Sequence, residues 1–171
     1  MKENSSIKEK ALHPEQVMKK KGAATEAAAA TTTTTAEECG EGLDERICTA
    51  LRAASDKKGI ELIVLDLRAI ASFTDYFLIA SGTNVRQVQA IADEIVEQLK
   101  KQGTRAARVE GYNTGEWVLV DYGDFVVHVF EDKARRFYDL ERLWRDAVRI
   151  ALPPELAGGG DNDQGSLRNE S

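Results

Sequence analysis

The stretch GEWVLVDYGDFVVHVF, residues 115–130, decides the fold of this chain. Two runs of mostly apolar, β-branched and aromatic residues, 117–121 and 125–130, flank a short turn-like sequence at 122–124. This pattern predicts an antiparallel hairpin. Successive side chains of a strand point to opposite faces, and here both faces are largely apolar. The sheet is therefore expected either to be covered on both faces or to leave part of one face for a partner.

Apolar periodicity predicts the elements on either side of this hairpin. Upstream, two helices are expected over about 43–58 and 84–102, and three strands over about 61–66, 76–81 and 107–111. Downstream, a final amphipathic helix is expected over about 133–150. Its apolar side is formed by Phe137, Leu140, Trp144 and Val148. The predicted order is αββαβββα, an α/β fold with a mixed sheet and helices packed on it.

Composition separates one folded domain from two flanking segments. All eleven aromatic residues lie between Phe73 and Trp144, so the outer parts of the chain contribute little to a core. An Ala- and Thr-rich tract fills residues 23–36, and a Gly-rich polar run follows the two prolines at 153–154. The predicted organisation is a disordered low-complexity extension over 1–41, one domain over 42–152 and a disordered acidic tail over 153–171.

The charge balance limits the partners that the domain can have. The 171 residues carry 23 Lys+Arg against 29 Asp+Glu, a formal net charge of -6, and residues 42–152 carry 16 against 18. A face that binds nucleic acid usually shows as a clear positive excess. The basic residues between Lys133 and Arg149 are interleaved with acids, so a solvated helix face explains them better. Sequence-specific nucleic-acid binding is therefore not expected.

Cysteine usage and N-terminal composition predict the compartment. Cys39 and Cys48 have no CxxC spacing and no neighbouring His, so neither a disulfide framework nor a zinc site is predicted. Residues 1–41 contain six Lys and seven Glu but no Arg and no apolar run, unlike secretory or transit peptides. No run approaches the roughly 18 apolar residues that a membrane span needs. The predicted location is the cytoplasm.

The candidate catalytic residues form no recognisable enzyme motif. The sequence SGTN at 81–84, between a strand and a helix, lacks the Lys of a P-loop, so an ordinary turn is expected there. Asp93 and Glu94 are adjacent on a helix and diverge. Asp121 and Asp124 flank a turn and are expected to be turn formers first, partner contacts second and catalytic residues a distant third. Neither pair makes a convincing metal clamp, so no metal, cofactor or enzymatic activity is expected.

Three residues of the hairpin are candidates for a partner interface. His128 has no Ser or Cys beside it in a nucleophile motif, so a hydrogen-bonded structural or interface histidine is expected. Trp117 and Tyr122 are candidate anchors, because large aromatic side chains contribute strongly to protein interfaces. The alternative is that Trp117 belongs to the core.

A series of short motifs runs through the domain in a fixed order. They are Thr74-Asp75-Tyr76-Phe77, Ser81-Gly82-Thr83 with Arg86-Gln87, Ala90-Ile91-Ala92-Asp93, Glu110-Gly111, the stretch from Gly115 to Asp124, Val126-Val127-His128-Val129-Phe130 and Arg136-Phe137-Tyr138-Asp139-Leu140-Glu141-Arg142-Leu143-Trp144. Each motif is weak alone, but the combination is highly specific. Over nearly all of residues 42–150 it resembles the ribosomal silencing factor family, also called Iojap-like.

This resemblance implies a fold, an activity and a partner. Family members have a fold similar to the nucleotidyltransferase palm without its paired catalytic acids, and they are not known as enzymes. They bind ribosomal protein fourteen of the large subunit and prevent the small subunit from docking, which represses translation under nutrient limitation. Many form homodimers. A near-neutral domain suits a ribosomal protein with basic side chains as partner.

The expected partner-binding surface combines the hairpin with the end of the neighbouring strand. It consists of Glu110, Trp117, Leu119, Asp121, Tyr122, Asp124 and His128. An aromatic anchor beside several carboxylates is expected for a patch that docks on a basic protein. Two other functions stay open: a large-subunit assembly factor that uses the same docking site, and a degenerate nucleotidyltransferase.

Overall fold

The computed structural model describes residues 39–40 and 42–157. The rest of the predicted extension, and the tail beyond residue 157, lie outside the described residues. The elements, in chain order, are α1 Glu45–Asp56, β1 Ile60–Asp66, β2 Tyr76–Gly82, α2 Val85–Lys101, β3 Arg108–Glu110, β4 Trp117–Asp121, β5 Phe125–Glu131, α3 Asp132–Tyr138, α4 Leu140–Leu143, β6 Val148–Arg149 and α5 Pro154–Ala157. The predicted α/β fold class is confirmed.

A mixed sheet of six strands lies at the centre of the described region, in the order β3-β4-β5-β2-β1-β6. β2 and β5 run parallel in its middle, whereas the other neighbouring pairs run antiparallel. The predicted hairpin of β4 and β5 is confirmed, with Trp117 opposite Phe130 and Asp121 opposite Val126. Because β5 is central and buried on both faces, its residues 125–130 form an apolar run interrupted only by His128.

Helices α1 and α2 cover one face of the sheet, and each begins at a side-chain cap. Asp44 accepts a hydrogen bond from the backbone N–H of Arg46 at 2.8 Å. Asn84, the predicted cap of α2, accepts one from the backbone N–H of Gln87 at 2.9 Å. The apolar stripe of α2, which includes Ile95, is buried against β2, β4 and β5. This face holds the larger of the two apolar cores.

The opposite face is covered by the chain that follows β5 and by the connection between β1 and β2. The predicted single helix over 133–150 is wrong. Asp139 adopts a left-handed backbone conformation (φ 48°, ψ 55°), which ends α3 and separates it from α4. Aspartate tolerates this conformation better than most residues. After α4 the chain forms β6, which pairs with β1 through Leu65 and Arg149.

The break at Asp139 divides the predicted apolar side of that helix. Leu140 is buried in the second core, and Trp144 packs edge-on against Phe77 with 5.6 Å between ring centroids. Phe137 is 73% exposed, and Val148 is exposed as well. Both faces of the sheet are therefore covered, and the helical cover of the second face carries an apolar surface of its own.

The N-terminal edge of the described region contains a disulfide between Cys39 and Cys48, contrary to the sequence expectation. The N–H of Leu43 donates to the carbonyl of Gly40 at 3.1 Å, which folds the residues before α1 back onto the helix. This turn brings the Cα atoms of the two cysteines to 5.7 Å. The pairing depends on the turn and on burial, neither of which the cysteine spacing reveals.

At the other end, packing continues past the predicted domain boundary at residue 152. Helix α5 begins at Pro154, and its Leu156 is buried in the core beneath α1 and α2. The predicted tail therefore begins later than residue 153. Within the described residues, each helix is too short or too polar to cross a membrane.

Candidate partner-binding surface

Asp121 closes the turn between β4 and β5, as predicted for a turn former. Its Oδ1 accepts a hydrogen bond from the backbone N–H of Gly123 at 2.8 Å. The N–H of Tyr122 donates to the carbonyl of Phe125 at 3.0 Å. Gly123 has φ 90°, a left-handed conformation that glycine adopts without strain. The turn therefore exposes Gly123 and Asp124 at its tip.

The three predicted carboxylates lie in two ion-pair groups. Arg108 of β3 lies 3.6 Å from the carboxylates of both Glu110 and Asp121. Asp124 pairs with Arg46 of α1 at 3.0 Å. The side chains of Glu110 and Asp121 are 19% and 9% exposed, whereas that of Asp124 is 49% exposed. Asp124 therefore offers the most accessible carboxylate of the three.

Trp117 lies in the core, which is the alternative that the sequence left open. The ring is 2% exposed, and its centroid lies 4.8 Å from that of Phe130 and 4.7 Å from that of Tyr138. Leu119, on the same face of the sheet, is buried too. A partner cannot reach the indole of Trp117 without displacing Tyr138. In this structure Trp117 is therefore a core residue and not a surface anchor.

His128 is a hydrogen-bonded structural histidine, one of the two roles expected for it. Its Nδ1 accepts the indole N–H of Trp117 at 3.1 Å, so the neutral ring carries its own proton on Nε2. The ring is buried and lies edge-on to Phe77, with 4.4 Å between centroids. Burial lowers the pKa of His128 from 6.5 to about 3. The folded chain therefore holds a neutral imidazole throughout the physiological pH range.

We expect the free energy of unfolding to fall as the pH is lowered from about 7 to about 5, in part because of His128. The unfolded chain takes up a proton near pH 6.5, whereas folded His128 stays neutral down to about 3. In this window the loss is up to about 1.4 kcal/mol per pH unit. His128→Gln keeps an acceptor for Trp117 but does not titrate. Urea denaturation should give a flatter pH profile for this variant, and equal slopes would contradict the assignment.

Tyr122 lies in the other core, on the face covered by α1 and α2. Its ring is stacked on that of Phe125, with 4.9 Å between centroids. Burial raises the pKa of the Tyr122 hydroxyl to about 12. The predicted surface residues are thus divided between the two faces of the sheet: Tyr122 lies on one face, and Trp117, Leu119 and His128 lie on the other.

The turn between β2 and α2 is an ordinary capped turn, as predicted. The side-chain oxygen of Gln87 accepts hydrogen bonds from the N–H and the hydroxyl of Thr83, at 2.7 and 2.9 Å. Asn84 accepts the N–H of Gln87 itself. Two backbone amides of this turn, those of Thr83 and Gln87, are therefore bound to the protein's own side chains. Among residues 39–40 and 42–157, no cluster of three or more His, Cys, Asp and Glu could hold a metal ion.

An exposed surface that the sequence patterns did not predict lies on α3, α4 and the turn after α4. We call it the α3–α4 patch, and it consists of Arg136, Phe137, Arg142, Leu143 and Arg145. Together with Tyr138, Asp139 and Asp146, these residues line an open depression of about 700 Å³. Helical periodicity placed Phe137 on the buried side. The one local signal against that placement was Asp139, a residue type that tolerates the left-handed conformation that ends α3.

Comparison with known proteins agrees with the motifs in the sequence. The family model described as "Ribosomal silencing factor during starvation" matches residues 41–170. The ribosomal silencing factor RsfS of Halalkalibacterium halodurans is 43% identical over 108 residues, which are 63% of this chain and 92% of the relative. A relative from Mus musculus, named mitochondrial assembly of ribosomal large subunit protein 1, is 30% identical over 119 residues, covering 63% of this chain and 52% of that protein.

A solved structure supports the fold. The crystal structure of a Chromobacterium violaceum protein, 40% identical in sequence, matches with a TM-score of 0.58 and covers 59% of this chain and 84% of that chain. The family match spans most of the present sequence, including the central sheet and the helices on both of its faces. This chain belongs to the ribosomal silencing factor family.

Proposed function

We propose that this chain binds the large ribosomal subunit through ribosomal protein fourteen and sterically prevents the small subunit from joining. The result is repression of translation in the cytoplasm under nutrient limitation. The observation that carries the proposal is the family match over residues 41–170, whose description names ribosomal silencing during starvation. Steric occupation requires no catalytic site, so we expect no enzymatic activity.

The docking edge proposed here is formed by the tip of the β4–β5 hairpin and the end of β3. Asp124 and Glu110 supply carboxylates that complement a basic ribosomal protein. The exposed ion pair between Asp124 and Arg46 contributes little to stability, so Asp124 can exchange Arg46 for a basic group of the partner. The other residues of the expected surface support this edge from within: Trp117, Leu119, Asp121, Tyr122 and His128.

Asp124→Lys should weaken the block on subunit joining about tenfold, because it places like charge against a basic partner. The measurement is a joining assay with purified subunits, in which titrated protein lowers the amount of joined ribosomes on a sedimentation gradient. Asp56→Lys is the matched control, since Asp56 is exposed at the end of α1 and the substitution makes the same change of charge. This control should block joining as the wild-type chain does.

Two results would contradict different parts of this proposal. A wild-type chain that leaves joining unchanged at every concentration would contradict the function. Folded Asp124→Lys and Glu110→Lys variants that both block joining at the wild-type concentration would contradict the docking edge alone. Circular dichroism shows whether each variant is folded.

A second candidate function is assembly of the large subunit. It is favoured by the Mus musculus relative, whose name states that role in mitochondria. Sedimentation of a lysate distinguishes the two candidates: association with mature large subunits supports silencing, and association with immature particles alone supports assembly.

Metal-dependent nucleotide turnover by the purified chain would instead support a degenerate nucleotidyltransferase. Sedimentation of the purified chain tests the homodimer that the resemblance implies.

A further inference from the structure

The segment from α3 to β6 has an excess of positive charge at its surface. Residues 132–149 contain six basic and four acidic residues, so their composition is nearly balanced. Asp146 is the one acid of this segment that is exposed. Five basic side chains are exposed there: Lys133, Arg136, Arg142, Arg145 and Arg149. The folded segment therefore presents a cationic surface that its composition does not show.

Ion pairs within the segment decide which of its basic side chains lack a carboxylate partner. The buried guanidinium of Arg135 binds the carboxylate of Glu141 at 2.8 Å, and Arg136 pairs with Asp132 at 3.3 Å. Two acids and two basic side chains thereby neutralise each other, which leaves four basic side chains against Asp139 and Asp146. Among the described residues, no carboxylate lies within ion-pair distance of the other four exposed basic side chains. Their charge is available to an anionic partner.

Phe137 adds an exposed aromatic ring to the same surface. The ring contacts Tyr138 edge-on at 4.9 Å between centroids, and Tyr138 in turn packs on Trp117 in the core. The exposed ring therefore packs on Tyr138, which connects it to Trp117 in the core. Arg142 and Arg145 line the same depression as Phe137. In sites of this kind an aromatic ring stacks on an unpaired base, and the neighbouring guanidinium groups contact the flanking phosphates.

We propose that the α3–α4 patch binds single-stranded RNA without sequence preference. An unpaired base stacks on Phe137, and Arg142 and Arg145 bind phosphate oxygens, for which the guanidinium fork is well matched. This inference deepens the proposed function and rests on it for the source of the RNA, which is ribosomal RNA near the docking site. The binding itself requires no ribosome and can be measured on the purified chain.

The test is fluorescence anisotropy of the full-length chain with a labelled single-stranded RNA of mixed sequence, about 20 nucleotides long. We expect binding that weakens at least about tenfold between about 50 mM and about 200 mM salt, because phosphate contacts release counterions. Phe137→Ala should weaken binding at least about fivefold through loss of stacking. The double variant Arg142→Glu, Arg145→Glu should weaken it at least about tenfold.

The matched control is the double variant Arg86→Glu, Arg105→Glu. Both arginines are exposed and belong to α2 and the loop after it, so the net charge changes equally while the patch is intact. We expect this control to change affinity less than about threefold. An equal loss in the control would show that RNA affinity depends on net charge alone, and it would overturn the proposed site.

Other occupants of the patch give different results. Polyglutamate that competes as well as unlabelled RNA would assign the patch to an acidic protein. A dimer that dissociates on reversal of Arg142 and Arg145, with no RNA binding by the wild-type chain, would assign it to a second copy of this chain. Either result overturns the proposal. A chain that binds RNA through these arginines but does not block joining would support the RNA site and contradict the proposed function.

Discussion

Trp117→Ala should lower the free energy of unfolding by about 3 to 5 kcal/mol, the usual cost of truncating a large buried aromatic residue. The indole is 2% exposed and packs between β5 and α3, against Phe130 and Tyr138. Its removal leaves a cavity and also leaves Nδ1 of His128 without its donor. Urea denaturation followed by circular dichroism measures the loss without relying on tryptophan fluorescence.

Trp117→Phe is the matched control for this experiment. It keeps an aromatic ring in the core but removes the N–H that His128 accepts, so we expect a smaller loss of about 1 to 2 kcal/mol. The alanine variant also decides between the two interpretations of Trp117 that the sequence left open. A loss below about 1 kcal/mol, together with weaker binding to the large subunit, would show that Trp117 is a surface anchor after all.

Arg135→Met should lower the free energy of unfolding by about 3 kcal/mol, because it removes one partner of a largely buried ion pair. The side chain of Arg135 is 4% exposed. It donates to both carboxylate oxygens of Glu141, at 3.3 and 2.8 Å, and to the hydroxyl of Ser81 at 2.7 Å. These bonds join α3 to α4 and to the end of β2. Glu141 remains partly exposed to water, which keeps the loss at the lower end of the range for buried pairs.

Arg136→Met is the control for Arg135→Met, since Arg136 is the exposed neighbour on the same helix. It should change stability by no more than about 0.5 kcal/mol. The double variant Arg135→Met, Glu141→Gln should recover part of the loss, because the carboxylate without a partner is removed as well. If Arg135→Met and Arg136→Met had the same small effect, Arg135 would not be what joins α3 to the sheet.

Short-range patterns in the sequence predicted the elements that depend on neighbouring residues. For the hairpin at 115–130, the predicted bounds of the first strand are those of β4, and the turn lies where it was predicted. Alternation and turn chemistry act over a few residues, so the local sequence is enough to predict them. The cap at Asn84 and the stripe of α2 were predicted for the same reason. The ordered motifs also predicted the family, which the match over residues 41–170 confirms.

Features that depend on contacts between distant residues were not predictable from these patterns. Periodicity shows which side chains share a face, but it does not show what covers that face. Trp117 is buried because Tyr138, from a helix beyond the next strand, packs on it. Phe137 is exposed where periodicity placed it on the buried side, because Asp139 ends α3 and the chain then turns to pair β6 with β1. The residues exposed to a partner therefore differ from the predicted ones, since burial is a property of the packed chain and not of any one segment.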